Sequence, residues 1–269
     1  MNGATGARAS LFAALSFAML LSGCAASRPH WRAAAALPPL PPNWQSIPNP
    51  IPRALPPAPL GNPPFYDVDG RRYYVLGSAA GYHQIGIASW YGPNSQGHRT
   101  ADGERYSMYA MTAASTVLPL PTFVRVTDLA NGRSVIVKVD DRGPFVAHRV
   151  IDLSYLAAAK LGMLATGTAI VEVSAIGPGS AESLATALQA RSTLLYAEVG
   201  AFTVPGAAER VFNRLRAAGL RHVIILSPAV SGGHLYRVRI GPVHNAGQFE
   251  RIAARLTALG YHGTWLVTP

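Results

Sequence analysis

The sequence has 269 residues, of which 49% are apolar, a formal net charge of +10 and a single cysteine. That length and apolar content allow one or two ordinary cores and exclude a wholly disordered chain, while one cysteine excludes an internal disulfide. The charge would elsewhere point to nucleic acid, but it is uneven: residues 66–177 hold ten Lys/Arg against nine Asp/Glu, whereas residues 191–269 hold nine Arg against three Glu.

Arg8 precedes the apolar run LFAALSFAMLL at 11–21, which is too short to span a bilayer and ends at the small residues Ser22 and Gly23. This is the pattern of an export signal. Export argues against a nucleic-acid partner, so the basic excess reads as a solvated face or one meeting wall polymer or anionic headgroups. Cys24 follows the apolar run directly. Leu21-Ser22-Gly23-Cys24 resembles a bacterial lipobox, which implies acylation of Cys24 and a stable lipid anchor. Ala25 stands where an aspartate would resemble an inner-membrane retention signal, so the resemblance implies the outer membrane.

Residues 38–64 carry twelve prolines and few charges. Such a segment cannot form a helix or a central strand. As polyproline II it reads as a spacer able to reach roughly 80 Å from the anchor, at about 3.1 Å per residue.

A first domain is expected from Phe65. DVDGRRYYVL (67–76) reads as a turn at Asp69-Gly70 and a strand, and QIGIASWYG (84–92) as a second strand. TFVRVTDL (122–129) and RSVIVKVD (133–140) flank Asn131-Gly132, a hairpin signal. A helix over 153–161 stops at Gly162, and TAIVEVSAI (168–176) closes the set. Strands dominate without a βαβ rhythm, which points to a small β-barrel.

The richest stretch is VKVDDRGPFVAHRVIDLS at 137–154. Val135, Val137 and Val139 share one strand face by their period of two, and Asp141 falls on that face just past the apolar run. Asp140 projects to the other side with Lys138. Arg142 and Gly143-Pro144 break the strand, and Asp152-Leu153-Ser154 opens the helix. Two readings of these charges stand side by side: a catalytic cluster, or a structural one in which Asp141 pairs with Arg142 or Arg149 and Asp152 caps the helix.

Beyond a Gly/Ser/Ala-rich boundary at 177–192 the pattern changes. TLLYAEVGAF (193–202) is a strand, a helix begins near Pro205, HVIILS and HLYRVRIG are strands around Gly232-Gly233, a second helix ends at Gly260, and GTWLVT is the last strand. The order βαββαβ implies a four-stranded antiparallel sheet with both helices on one face.

These residues carry a resemblance. GIASWYG (86–92), TADGE (100–104), MTAA (111–114), NGRSV (131–135), DDRGPF (140–145) and RVIDLS (149–154) resemble the double-psi barrel signature of the rare lipoprotein A (RlpA) family of septal lytic transglycosylases. GAF (200–202) and YRVRIGP (236–242) resemble its SPOR domain, a module that binds glycan strands stripped of stem peptides. The resemblance implies a mainly β plus α+β chain. It divides into a signal peptide at 1–23, a lipid-anchored linker at 24–64, a six-stranded double-psi barrel at 65–177, a linker at 178–190 and a ferredoxin-like βαββαβ SPOR domain at 191–269.

It further implies cleavage between N-acetylmuramic acid and N-acetylglucosamine with a 1,6-anhydro product, at the division septum, by an outer-membrane lipoprotein facing the periplasm. Peptidoglycan and division-machinery proteins are the implied partners, with no cofactor. An internal nucleophile needs one carboxyl acting as acid and then base, whereas hydrolysis wants a spaced pair. Asp141 is the first candidate for that acid, Glu104 the second and Asp152 the third. Trp90, Tyr91 and Tyr236 are candidates for stacking on sugars, with Arg142 and Arg237 as glycan contacts, although aromatics in strands are more often core. Three positions depart from the family pattern: its histidine is Ser115, FHG is Ser95-Gln96-Gly97, and an acidic residue is Ser107. The alternative is therefore a non-catalytic glycan-binding or wall-tethering lipoprotein with a degenerate barrel site. No paired-histidine spacing for a metal and no hydrolase triad is present.

Overall fold

The computed structural model describes residues 37–178, 194–230 and 233–269. The expected signal segment, Cys24 and nearly all of the 178–190 linker lie outside them. Strands β1 (Phe65–Val68) and β2 (Arg71–Tyr74) form a two-stranded sheet of their own, turned at Asp69-Gly70 as expected but separate from the barrel. The barrel consists of β3 (His83–Tyr91), β4 (Thr112–Ala114), β5 (Thr122–Asp128), β6 (Ser134–Asp141), β7 (Arg149–Ser154) and β8 (Ala169–Ala175), with helix α1 (Tyr155–Leu161) after β7. It closes in the order β3-β7-β4-β6-β5-β8, which is the six-stranded barrel expected from sequence. The β3–β7 and β4–β6 pairs are parallel and the others antiparallel.

The period-two reading of β6 holds from Val135 to Val139 and fails beyond. A register shift at Asp140 pairs Ala113 with Val139 but Ala114 with Asp141. Asp141 therefore lies on the side of Ala114 and Asp152 and not on the valine face expected for it. Val135, Val137 and Val139 are buried in the barrel core with Val124, Val126, Ile151 and Leu153, each such burial contributing about 1.5–3 kcal/mol. The β5–β6 turn is held by the buried Asp128, which accepts from the Ala130 N–H at 2.8 Å and from Asn131 Nδ2 at 3.0 Å. One reading is corrected. Asp152 does not open the helix: it stays on β7, and the N-cap is Ser154, whose Oγ accepts from the Ala157 N–H. The helix ends at Gly162 in the left-handed conformation, as expected.

The proline-rich segment is also corrected. Rather than a free spacer, residues 38–64 form a strap bound to the barrel. Leu40, Trp44, Ile47 and Ala58 pack on the main core, and Leu55 on the patch of Phe123, Ile136 and Ile176. Prolines leave carbonyls without competing N–H partners of their own, and barrel side chains use them. Tyr155 and Tyr109 donate to the carbonyls of Pro38 and Pro39 at 3.0 and 3.2 Å, and Lys160 donates to those of Gln45 and Ile47. Asn62 closes a two-way bond with Leu120, donating to its carbonyl at 2.7 Å and accepting from its N–H at 2.8 Å.

The C-terminal domain contains β9 (Leu195–Phe202), α2 (Pro205–Ala217), β10 (Val223–Leu226), a short hairpin of β11 (Ala229–Val230) and β12 (Gly233–His234), then β13 (Tyr236–Val243), α3 (Ala246–Ala258) and β14 (Trp265–Val267). Its antiparallel sheet runs β10-β13-β9-β14. Leu195, Ala197, Val199, Val238 and Ile240 face Ala208, Leu215, Phe249 and Leu256 of both helices in one core. This is the expected βαββαβ layout. Ile87 and Ile170 of the barrel join that same core, and the His148 ring Nδ1 lies 3.1 Å from the Thr264 carbonyl with its plane edge-on to Phe249. The two domains are therefore packed against each other.

Candidate active site

Ala114 on β4 pairs with Asp141 of β6 on one side and with Asp152 of β7 on the other. Paired residues point to the same face of a sheet, so the two aspartates flank Ala114 with their Cα atoms about 9–10 Å apart. Gly143, at φ +138°, brings the loop backbone over this gap: a Cβ there would sit 3.7 Å from the Ala114 Cβ and 3.8 Å from Asp152 Oδ2. Glycine is required at that position both by its conformation and by the close approach.

Asp141 accepts from the backbone N–H groups of Ala101 (2.8 Å) and Arg142 (2.7 Å). Both bonds fall on Oδ1, and neither uses Oδ2. Burial raises the Asp141 pKa above the ordinary carboxylate value, and the two backbone bonds partly oppose the rise. Asp152 accepts from the Ser89 hydroxyl, which in turn receives Arg149 Nη1 at 3.1 Å. Its pKa is raised by burial as well, against the Ser89 bond and the Arg149 charge.

A second group lies next to Asp141 at the end of β6, and sequence reading underrated it. Asp140 is only 3% exposed, and its Oδ1 is buried without a hydrogen-bond partner. Burial pushes its pKa up to about 8, with Lys138 opposing the rise and Asp102, Asp141 and Glu104 adding to it. Lys138 Nζ bridges to Glu104 Oε1 at 2.7 Å and to Asp140 Oδ2 at 3.6 Å. Asp102, Glu104 and Asp140 bring carboxylate oxygens within 4.8 Å of one another. The Lys138 ammonium already supplies positive charge to this group, and no metal is assigned to it. The sequence signal was the Asp-Asp pair, since alternation placed Asp140 beside Lys138. What it could not show is the covering of that face.

The expected site residues thus divide. Glu104 is exposed and ion-paired, Asp141 lies at the mouth of the barrel, and Asp152 sits in a separate network with Ser89. The ion pair of Asp141 with Arg142 or Arg149 does not form: among the described residues no such salt bridge is present. Arg142, expected at the glycan, is half-buried and turned inward. It donates to the carbonyls of Gly61 (2.9 and 2.7 Å), Ser115 (3.0 Å) and Leu118 (2.5 Å) and to Asn62 Oδ1 (3.2 Å).

The expected sugar-stacking aromatics are also engaged inside the protein. Tyr91 stacks on Tyr106 at 4.2 Å between ring centroids, and Trp90 packs on the core and on Tyr155. Tyr236 packs against the C-terminal core. Arg237 projects from the opposite face of the sheet, where it donates to Glu198 at 2.9 Å, while Arg239 donates to the same carboxylate at 2.9 Å. Glu198 is 1% exposed and held by these two arginines.

The residues at the three departures from the family pattern each make local hydrogen bonds to backbone. Ser115 is 1% exposed, and its Oγ accepts from the N–H groups of Val117 and Leu118 at 3.3 Å each. Gln96 accepts from the Met108 N–H, and Ser107 from the Tyr109 N–H. His98 is exposed, and His148 is turned to the C-terminal domain.

A family model described as lytic transglycolase matches residues 83–173, which span all six barrel strands, and the SPOR domain model matches residues 192–268. A relative from Pseudomonas aeruginosa named endolytic peptidoglycan transglycosylase RlpA is 36% identical over 303 residues, covering 90% of this chain and 86% of its own length. The chain belongs to the RlpA family. A Neisseria meningitidis relative of the same name is 50% identical over 120 residues, 45% of this chain and 50% of its own. The solved RlpA SPOR domain from Pseudomonas aeruginosa is 34% identical, with 28% of this chain covering 99% of that one at a TM-score of 0.26. The higher identity to the Neisseria relative comes with a much shorter alignment, so it speaks for under half of this RlpA-family chain.

Proposed function

We propose that this RlpA-family protein is a peptidoglycan lytic transglycosylase with Asp141 as the acid that becomes the base. Asp141 gives its proton to the glycosidic oxygen as the bond from muramic acid C1 breaks. The C6 hydroxyl of the same sugar attacks C1, its proton passes to the Asp141 carboxylate, and a 1,6-anhydro end results. The observation that carries this reading is Asp141 at the barrel mouth, its pKa raised by burial and its Oδ1 fixed by two backbone N–H groups. A fixed carboxyl that holds its proton above the ordinary range suits general acid catalysis. Glu104, exposed and tied to Lys138, is the second candidate, and Asp152 the third.

The full proposal includes acylation of Cys24, attachment to the outer membrane facing the periplasm, and action on peptide-free strands at the septum beside division-machinery proteins. The names of the relatives and the match to a SPOR model support the peptidoglycan part, and the anchor rests on the Leu21-Ser22-Gly23-Cys24 motif alone. Cys24→Ser would release the protein into the soluble fraction if Cys24 is the anchor, and unchanged membrane retention would refute that part. A non-catalytic glycan binder is the second reading, favoured by one observation: the Ser115 hydroxyl is buried and engaged with backbone, so it handles no proton. The test is incubation of residues 38–269, strap included, with peptide-free glycan strands. Anhydro ends detected by mass spectrometry support the enzyme, and intact strands bound to folded protein support the binder.

A further inference from the structure

Both backbone N–H groups that hold Asp141 Oδ1 belong to residues that rest on the strap. Gly61 of the strap sits at φ +82°, a left-handed conformation open to glycine, and a Cβ there would lie 2.7 Å from the Ala101 carbonyl oxygen and 2.9 Å from Leu120 Cδ1. The Gly61 backbone is thus seated directly on Ala101, the first of the two donors. Leu60 reaches the same loop, its Cδ1 lying where a Cβ on Gly103 would meet it at 3.2 Å. The second donor, Arg142, turns its side chain onto the strap, with Nε and Nη2 on the Gly61 carbonyl and Nη2 also on Asn62 Oδ1 at 3.2 Å. The turn itself is pinned to Leu120: Asn62 bonds both its N–H and its carbonyl, and the Ala58 N–H donates to that carbonyl at 2.8 Å. The loop covered by Leu60 and Gly61 also carries Asp102, whose N–H donates to the Asp140 carbonyl at 3.2 Å, and Glu104.

We propose that the Leu60-Gly61-Asn62 turn of the strap is part of the active site: it positions Asp141 by seating the Ala101 and Arg142 backbone donors. The proposal rests on the reading of Asp141 as the acid. Oδ1 is the pinned oxygen and Oδ2 takes neither bond, so a shift of either donor re-aims Oδ2 and the proton it would deliver. A misplacement of about 1 Å, even from a change remote from the chemistry, can cost about 10²-fold in rate. Leu60, Gly61 and Asn62 are positioning residues, acting on Asp141 through Ala101 and Arg142.

The test measures four properties of the full chain: anhydro-end formation on peptide-free strands, strand binding, the urea midpoint, and hydrogen–deuterium exchange of the 99–105 segment. Gly61→Ala forces the Ala101 loop to shift and is expected to lower the maximal rate about 10–10²-fold with strand binding unchanged, and to speed exchange in 99–105. Trp44→Ala loosens the strap at its other end, where Trp44 packs on the barrel core. It should lower the urea midpoint yet leave rate and exchange at parental values. Leu60→Ser alters a side chain that is 59% exposed, so it answers the question if Gly61→Ala does not fold, and it should move rate and exchange in the same direction. Parental rate and exchange in Gly61→Ala and Leu60→Ser overturn the proposal, as does an equal loss in Trp44→Ala, which would make the strap a stabiliser only. If the parent forms no anhydro ends, the lytic reading falls and exchange decides the positioning by itself: faster exchange in Gly61→Ala but not in Trp44→Ala keeps it, and parental exchange in both removes it.

Discussion

Arg142 Nε and Nη2 both donate to the carbonyl of Gly61, at 2.9 and 2.7 Å, across 81 positions of sequence. One guanidinium thereby ties the strap to the loop that follows β6. Removing it leaves the Gly61, Ser115 and Leu118 carbonyls without their charged donor. Arg142→Ala is expected to lower stability by about 2–4 kcal/mol, given about 1.5–3 kcal/mol per charge-assisted bond and partial access of water. Residues 38–64 should become sensitive to limited proteolysis while the barrel resists it. A variant with parental urea midpoint and an intact strap would contradict this role.

Asp140 predicts the sign of a pH dependence. Its folded pKa, about 8, lies above its ordinary value of 3.8. Between those values the folded state holds a proton that the unfolded state has released, so stability falls as pH rises through this window. The slope from this one group is about 1.4 kcal/mol per pH unit. Asp140→Asn removes that titration and should flatten the decline between about pH 4 and 8, with the variant more stable than the parent at the upper end. Parallel stability curves for the two proteins would show that Asp140 is not buried in its protonated form.

Much of the fold was legible from local rules. The valine alternation of β6, the turn at Asn131-Gly132, the stop at Gly162 and the helix periodicities of the C-terminal domain each rest on residues near in sequence. β4 was not legible: Thr112–Ala114 is three residues long, too short to show a period. The strap was misread because proline content speaks of backbone freedom and says nothing about donors such as Arg142, Lys160, Tyr109 and Tyr155 that lie elsewhere in the chain. Asp141 was misplaced on the valine face because alternation cannot foresee the register shift at Asp140, and the inward turn of Arg142 depends on carbonyls of Gly61 and Leu118 that no local pattern brings together.

Ser115→His restores the residue usual in the family but inserts an imidazole at a position that is 1% exposed. It also removes the Oγ that accepts from Val117 and Leu118. The expected result is a loss of about 1–3 kcal/mol by overpacking, read from urea unfolding, with no gain in anhydro ends. A gain in product at parental stability would mean that this loop opens readily and that the histidine position is functional.

Ile87 is fully buried and Ile170 nearly so, both within the core shared with the C-terminal domain. Ending the chain at residue 178 uncovers both. The barrel should remain folded but melt several degrees lower, as about 1 kcal/mol shifts the midpoint of a domain this size by roughly 3–4 °C. An unchanged melting temperature would show that the domains do not rest on each other in solution.

The most direct test of the proposed function compares the parent with Asp141→Asn on peptide-free glycan strands, counting 1,6-anhydro ends by mass spectrometry. The amide keeps the size of the side chain and an oxygen to accept from Ala101 and Arg142, but it cannot deliver the proton. Loss of the general acid should lower the rate by about 10²–10⁴-fold while strand binding and urea midpoint stay close to parental. An Asn variant that forms anhydro ends as fast as the parent would contradict the assignment of Asp141 as the acid.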